Sequence, residues 1–202
     1  MILNKQVINE LRKEYGDAFY LLDSEQCRNN FLELRDTFRK IYPNFNIAYS
    51  YKTNYTPKFC KIVNELGGYA EVVSEMELEI ALRVGVKPNR IIWNGPIKNP
   101  KKLEEFLVAG GTGNIDSVEE LEVVKNIAER HPDKKLNLGI RCNYKVNDGV
   151  VSRFGFDVDS EGFKKVLAFV TSTPNVHFIN FQCHFAKRQI EYWPARAKGM
   201  VE

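Results

Sequence analysis

Residues 67–86 read GGYAEVVSEMELEIALRVGV, and this stretch carries one complete structural unit. Its first part, GYAEVVS, is a short β-like run bounded by glycine and serine. Ser74 and Glu77 then form an S-x-x-E capping box, Leu78, Ala81 and Leu82 mark one buried helical stripe, and Gly85 stops the helix. One strand followed by one amphipathic helix is a βα unit.

The same beat recurs along the chain after an opening helix and a predicted strand AFYLLD. Further strand-like runs are NIAYSYK, RIIWNG, GTGNIDS, KLNLGIRCN and VHFINFQCHF, each bounded by turn-forming residues. None alternates clearly between polar and apolar residues, which predicts strands buried on both faces. Between them lie helical stripes: Phe59, Ile62, Val63 and Leu66; Leu103, Phe106 and Leu107; Leu121, Val124 and Ala128; Phe163, Val166, Leu167 and Val170. Ser117 and Glu120 repeat the capping box, Asn99 caps a helix whose first residue is Pro100, and Gly110 ends that helix.

Two architectures fit this order: a doubly wound open sheet or a (β/α)8 barrel. The only glycine-rich candidate for a phosphate turn, AGGTGN at 109–114, precedes a strand instead of following one, which removes the dinucleotide-binding reading. Polar residues concentrated at strand C-terminal ends favour the TIM-barrel type, whose active face lies there. A full barrel takes about 250 residues, so this chain is predicted to hold about six βα units of an incomplete one.

Composition sets the outer bounds. The chain has 202 residues, 44% hydrophobic and 27% charged, the ordinary usage of a soluble globular domain. A net charge of +3 from 29 basic and 26 acidic residues implies neither nucleic acid nor an anionic membrane as partner. The opening MILNKQVINELRKEYG lacks the apolar core of a secretory signal, and no apolar run reaches transmembrane length. Four cysteines without a C-x-x-C pair fit reduced thiols in a cytoplasmic protein, and three scattered histidines argue against a metal centre.

The strand ends carry Lys52 and Asn54, Glu71 and Ser74, Asn94, Asp116, Arg141 and Asn143, and His184. On a barrel these converge on one rim. A lysine at such a rim, close to an apolar core, loses hydration and with it the preference for the ammonium form, giving the neutral amine that attacks carbonyls. The plain alternative is a solvated strand-end lysine.

The segment YSYKTN, residues 49–54, resembles the Y-x-x-K-x-N box of the fold type III pyridoxal phosphate (PLP) enzymes. These are the alanine racemase-like barrels that include ornithine, arginine and diaminopimelate decarboxylases. GGYAEVVSEMELEIALRVGV, IIWNGPIKNPKKLEEFLVAG, NIDSVEELEVV, IRCNYKVNDGVVSRFGFD and FQCHF resemble later boxes of that family in the correct order. The resemblance implies that Lys52 is the lysine of the internal aldimine with PLP, also available for proton transfer. It implies that His184 stacks on the cofactor ring, that Glu71 stands where the family has an acidic residue, usually Asp, and that Arg141 faces the cofactor. SRFGF, residues 152–156, resembles the family's S-K-F-G loop with Arg153 in place of lysine. HFAKRQ departs from the family's small-residue histidine box: Ala186 and Lys187 replace its Gly-Ser pair and the serine contact to phosphate, for which Lys187 or Arg188 could supply charge instead.

By the same resemblance the expected activity is a PLP-dependent amino-acid decarboxylase acting on a basic or diamino acid, nearer to diaminopimelate than to ornithine enzymes. A non-catalytic PLP-binding homologue is the alternative. Residues 1–202 are expected to be the N-terminal barrel domain, truncated, without the family's C-terminal β domain, and the full-length protein a homodimer.

Overall fold

The computed structural model describes residues 4–146, 152–185 and 189–201. Seven strands form its sheet: β1 (Ala48–Ser50), β2 (Tyr69–Val72), β3 (Ile91–Trp93), β4 (Thr112–Ile115), β5 (Leu136–Asn143), β6 (Phe156–Asp157) and β7 (Val176–Gln182). The helices are α1 (Lys5–Tyr15), α2 (Ser24–Arg39), α3 (Pro57–Glu65), α4 (Glu75–Arg83), α5 (Pro100–Val108), α6 (Val118–Arg130), α7 (Glu161–Ser172) and α8 (Trp193–Val201).

Every strand pairing is parallel, and β1 to β5 follow one another in chain order, with β7 continuing beside β5. A doubly wound sheet would reverse direction part-way. Because βα crossovers are right-handed, a sheet that grows in one direction keeps its helices on one face. The other face becomes the interior of a (β/α)8-type barrel. Among the described residues the barrel is not closed: β1 pairs only with β2 and β7 only with β5.

The core lies between sheet and helices. Val72, Ile91, Trp93, Leu107, Leu121, Ile127, Leu136, Leu138, Ile140 and Val166 are fully buried there, and each such side chain contributes about 1.5–3 kcal/mol by leaving water. The ring of Trp93 meets that of Phe106 edge-on at 5.7 Å, joining β3 to α5.

The helix signals hold, with one refinement. Ser74 and Ser117 accept the N–H groups of Glu77 and Glu120, and Asn99 accepts those of Lys101 and Lys102. The reciprocal half of each box is displaced by one residue: Glu77 accepts from Val73 N–H and Glu120 from Asp116 N–H, at 2.7 and 2.8 Å. Each carboxylate therefore ties the strand's last residues to the helix that follows. Gly85 and Gly110 end α4 and α5 with φ of 89°, a conformation open to glycine.

Three expectations change. Residues 18–23, AFYLLD, form no strand, because no neighbouring strand among the described residues offers them a ladder. Burial on both faces holds for β4 and most of β5, whereas β2, β3 and β7 alternate, β7 because only one side of it is paired. The loop SRFGF ends in the two-residue β6, which pairs with the tail of β5. No described helix is long and apolar enough to cross a membrane.

Candidate active site

The C-terminal strand ends gather the residues singled out in the sequence. Lys52 lies in a 3₁₀ turn, Tyr51–Thr53, directly after β1; Glu71 is in β2, Arg141 in β5, and His184 two residues after β7. In register, Ser50 pairs with Glu71 and Arg141 with Gln182, so neighbouring strands deliver these side chains to one end of the sheet. His184 reports their convergence. Burial lowers its pKa first, the charges of Lys52 and Arg141 lower it further, and Glu71 opposes them. All four residues thus share one electrostatic environment, and the imidazole is held toward its neutral form.

Lys52 differs from the sequence reading. It is exposed, so the expected desolvation against the core is absent, because the 3₁₀ turn lifts it off the strand end. It makes no hydrogen bond or ion pair among the described residues, which leaves its amine accessible. Its turn is fixed around it: Thr53 Oγ1 donates to Ser50 O at 2.7 Å, Tyr49 Oη donates to Asn54 O at 3.0 Å, and Asn54 Oδ1 accepts Thr56 N–H.

Arg141 makes a buried ion pair. Its Nη1 donates to Asp116 Oδ1 at 2.6 Å, and both side chains are buried. Its guanidinium also lies 4.6 Å from the centroid of the Phe154 ring. Loop 152–155 folds back on the end of β5, where Asn143 Nδ2 donates to Ser152 O at 2.8 Å. Gly155 has φ of 77°, and a Cβ on it would stand 2.5 Å from the Arg141 carbonyl oxygen. Only glycine permits that approach.

Glu71 is fixed from the other side. Asn94 Nδ2 donates to Glu71 Oε1 at 3.1 Å, and Asn114 Nδ2 donates to Asn94 Oδ1. Asn114 and Asn180 flank Gly139 in register, and a Cβ on Gly139 would meet both amide oxygens at 2.0 and 2.6 Å. A chain of polar side chains therefore runs from Glu71 in β2 through Asn94, just after β3, to Asn114 in β4.

Sequence reasoning underrated several members of this site. Asp116 and Asn94 stood in the sequence only as strand-end residues without an assigned role, and Ser117 with Glu120 as a cap alone. Lys98, whose side chain is buried against Glu120, carried no signal in the sequence. Lys187 and Arg188, the two residues that could replace the family's phosphate contact in this loop, lie outside the described residues.

Residues 28–190 match the family described as pyridoxal-dependent decarboxylase, pyridoxal binding domain. The chain belongs to that family. It is 28% identical to the diaminopimelate decarboxylase of Aquifex aeolicus over 201 residues, covering 94% of this chain and 46% of that protein. It is 27% identical to a chloroplastic ornithine decarboxylase of Nicotiana glauca over 142 residues, covering 70% of this chain and 31% of that protein. The crystal structure of diaminopimelate decarboxylase from Methanocaldococcus jannaschii shares the fold with a TM-score of 0.83 at 24% identity, over 95% of this chain and 48% of that one. The chain thus spans about half the length of these relatives or less.

The cofactor of this decarboxylase family is pyridoxal 5'-phosphate, and the donor set fits it. An accessible primary amine at Lys52, a neutral planar imidazole at His184 and oppositely charged groups at Glu71 and Arg141 are what a planar, carbonyl-bearing, charged ligand requires.

Proposed function

We propose that this chain is the pyridoxal-binding barrel portion of an amino-acid decarboxylase whose substrate is a basic or diamino acid. One observation carries this reading: Lys52, Glu71, Arg141 and His184 lie far apart in sequence, yet parallel register brings the strand ends that bear them to one end of the sheet. Bound PLP supplies the electron sink that lets the substrate's α-carboxylate leave as carbon dioxide.

The side chains divide the remaining work. Lys52 offers the amine that captures the cofactor's carbonyl and afterwards holds a proton at Nζ. His184, kept toward neutrality, offers a flat face without adding a third positive charge beside Lys52 and Arg141. Glu71, held by Asn94, and Arg141, held by Asp116, would set opposite charges at defined places on the rim that would hold the cofactor. The substrate class rests on the named relatives, of which diaminopimelate and ornithine decarboxylases are examples.

The full-length protein is proposed to act as a homodimer in the cytoplasm. The free thiols of Cys27, Cys60, Cys142 and Cys183 support a reducing compartment. Titration of the chain with PLP tests the reading: a new visible absorption band and a borohydride-stable mass increase on the peptide containing Lys52 are expected. Lys52→Ala should lose both. A band that persists in Lys52→Ala, or none in the unaltered chain, would overturn the assignment.

A further inference from the structure

Behind the rim lies a buried cation that the proposed chemistry does not use. The Lys98 side chain is 1% exposed, and its Nζ donates to Gly95 O at 2.7 Å, Asn114 O at 2.9 Å and Glu120 Oε1 at 2.7 Å. Three acceptors consume the three N–H groups of an ammonium, whereas a neutral amine would leave one acceptor unmet. Burial pushes Lys98 down and Glu120 up, and the contact between them opposes both shifts. The acceptor geometry is that of the charged pair.

Two arms leave this point. In one, the other oxygen of Glu120 accepts Asp116 N–H at 2.8 Å, and Asp116 Oδ1 holds Arg141 Nη1 at 2.6 Å. In the other, Lys98 holds the Asn114 carbonyl, the Asn114 side chain donates to Asn94, and Asn94 donates to Glu71. Each link is a directional hydrogen bond between groups that are buried or nearly so, where an unmet donor or acceptor is costly. The two arms end on the two oppositely charged side chains proposed to orient the cofactor.

We propose that Lys98 is a positioning residue that fixes the spacing between Glu71 and Arg141, acting through Asn114 and Asn94 on one side and through Glu120 and Asp116 on the other. The consequence for cofactor orientation rests on the functional reading above; the spacing does not. Lys98 touches neither site residue itself. Its three hydrogen bonds tie the loop between β3 and α5, in which it lies, to the end of β4 and the start of α6.

The test uses Lys98→Met, which keeps length and removes the charge, and Lys98→Met/Glu120→Gln, which also removes the carboxylate left unpaired while keeping an acceptor for Asp116 N–H. Far-UV circular dichroism establishes that the variant measured is folded, and the double variant serves if Lys98→Met is not. Two readouts follow on the whole chain. The NMR titration of His184, which senses Arg141 and Glu71 without any cofactor, is expected to move its midpoint by about 0.3 pH or more. The PLP dissociation constant, from visible absorption, is expected to rise about tenfold, equivalent to about 1.4 kcal/mol.

A purely structural tie would lower the melting temperature and leave the His184 midpoint where it was. That result in a folded variant overturns the proposal. If the unaltered chain takes up no PLP, the functional reading fails separately, and the His184 titration still decides whether Lys98 sets the spacing.

Discussion

Arg141 and Asp116 meet at 2.6 Å with both side chains less than one-tenth exposed, so the guanidinium near the end of β5 is held by a buried carboxylate. Removing one partner of such a pair leaves an uncompensated buried charge. Asp116→Ala is expected to destabilise the fold by about 3–5 kcal/mol. Asp116→Asn, which keeps an acceptor, should cost less. Chemical denaturation of the two variants beside the unaltered chain checks the order.

Lys52 makes the opposite prediction. Its side chain is exposed and ties down nothing among the described residues. Lys52→Ala should therefore change stability by no more than about 0.5 kcal/mol while abolishing covalent PLP capture. A large loss of stability in the same denaturation experiment would contradict this placement.

His184 should titrate below the ordinary histidine range, because burial and the charges of Lys52 and Arg141 outweigh Glu71. A depressed native pKa means that the unfolded chain binds the proton first as pH falls. The contribution of this group to stability is thus complete above the ordinary histidine pKa and is lost as pH drops through the native midpoint. Two-dimensional NMR gives the midpoint, and a shallower loss of stability with acid in His184→Gln checks the sign.

Gly155→Ala should damage the rim through backbone strain and overlap together. The residue sits at φ of 77°, and its new Cβ would meet the Arg141 carbonyl oxygen at 2.5 Å. Left-handed backbone alone costs a non-glycine residue about 1–2 kcal/mol, and the overlap adds to it. The expected outcome is a lower melting temperature together with weaker PLP binding, since the displaced group is the backbone of Arg141.

Cys142 should be inert in the folded chain. Burial pushes its thiol up to about 12, with the neighbouring Cys183 adding to the rise. That lowers its thiolate fraction by about a thousandfold relative to an ordinary thiol. Alkylation followed by peptide mass spectrometry should label Cys142 only after denaturant is added.

Local chemistry settled much of this protein from the chain alone. Ser74, Asn99 and Ser117 start helices because their side chains satisfy backbone N–H groups within three residues, and Gly85 and Gly110 end helices because only glycine adopts their φ cheaply. These interactions are short-range, so the βα beat and the ordered boxes around Lys52 and His184 could be read directly. Tertiary structure decided whether each polar strand-end residue faces solvent or another residue. Asp116 lies 25 positions from Arg141, and Lys98 lies 22 from Glu120. Nothing in the local pattern around Lys98 separates a solvated lysine from one with a buried ammonium. Strand order also came only from the sheet: βα units alone allow an open, doubly wound sheet, and parallel pairing in chain order is what brings their polar ends onto one rim.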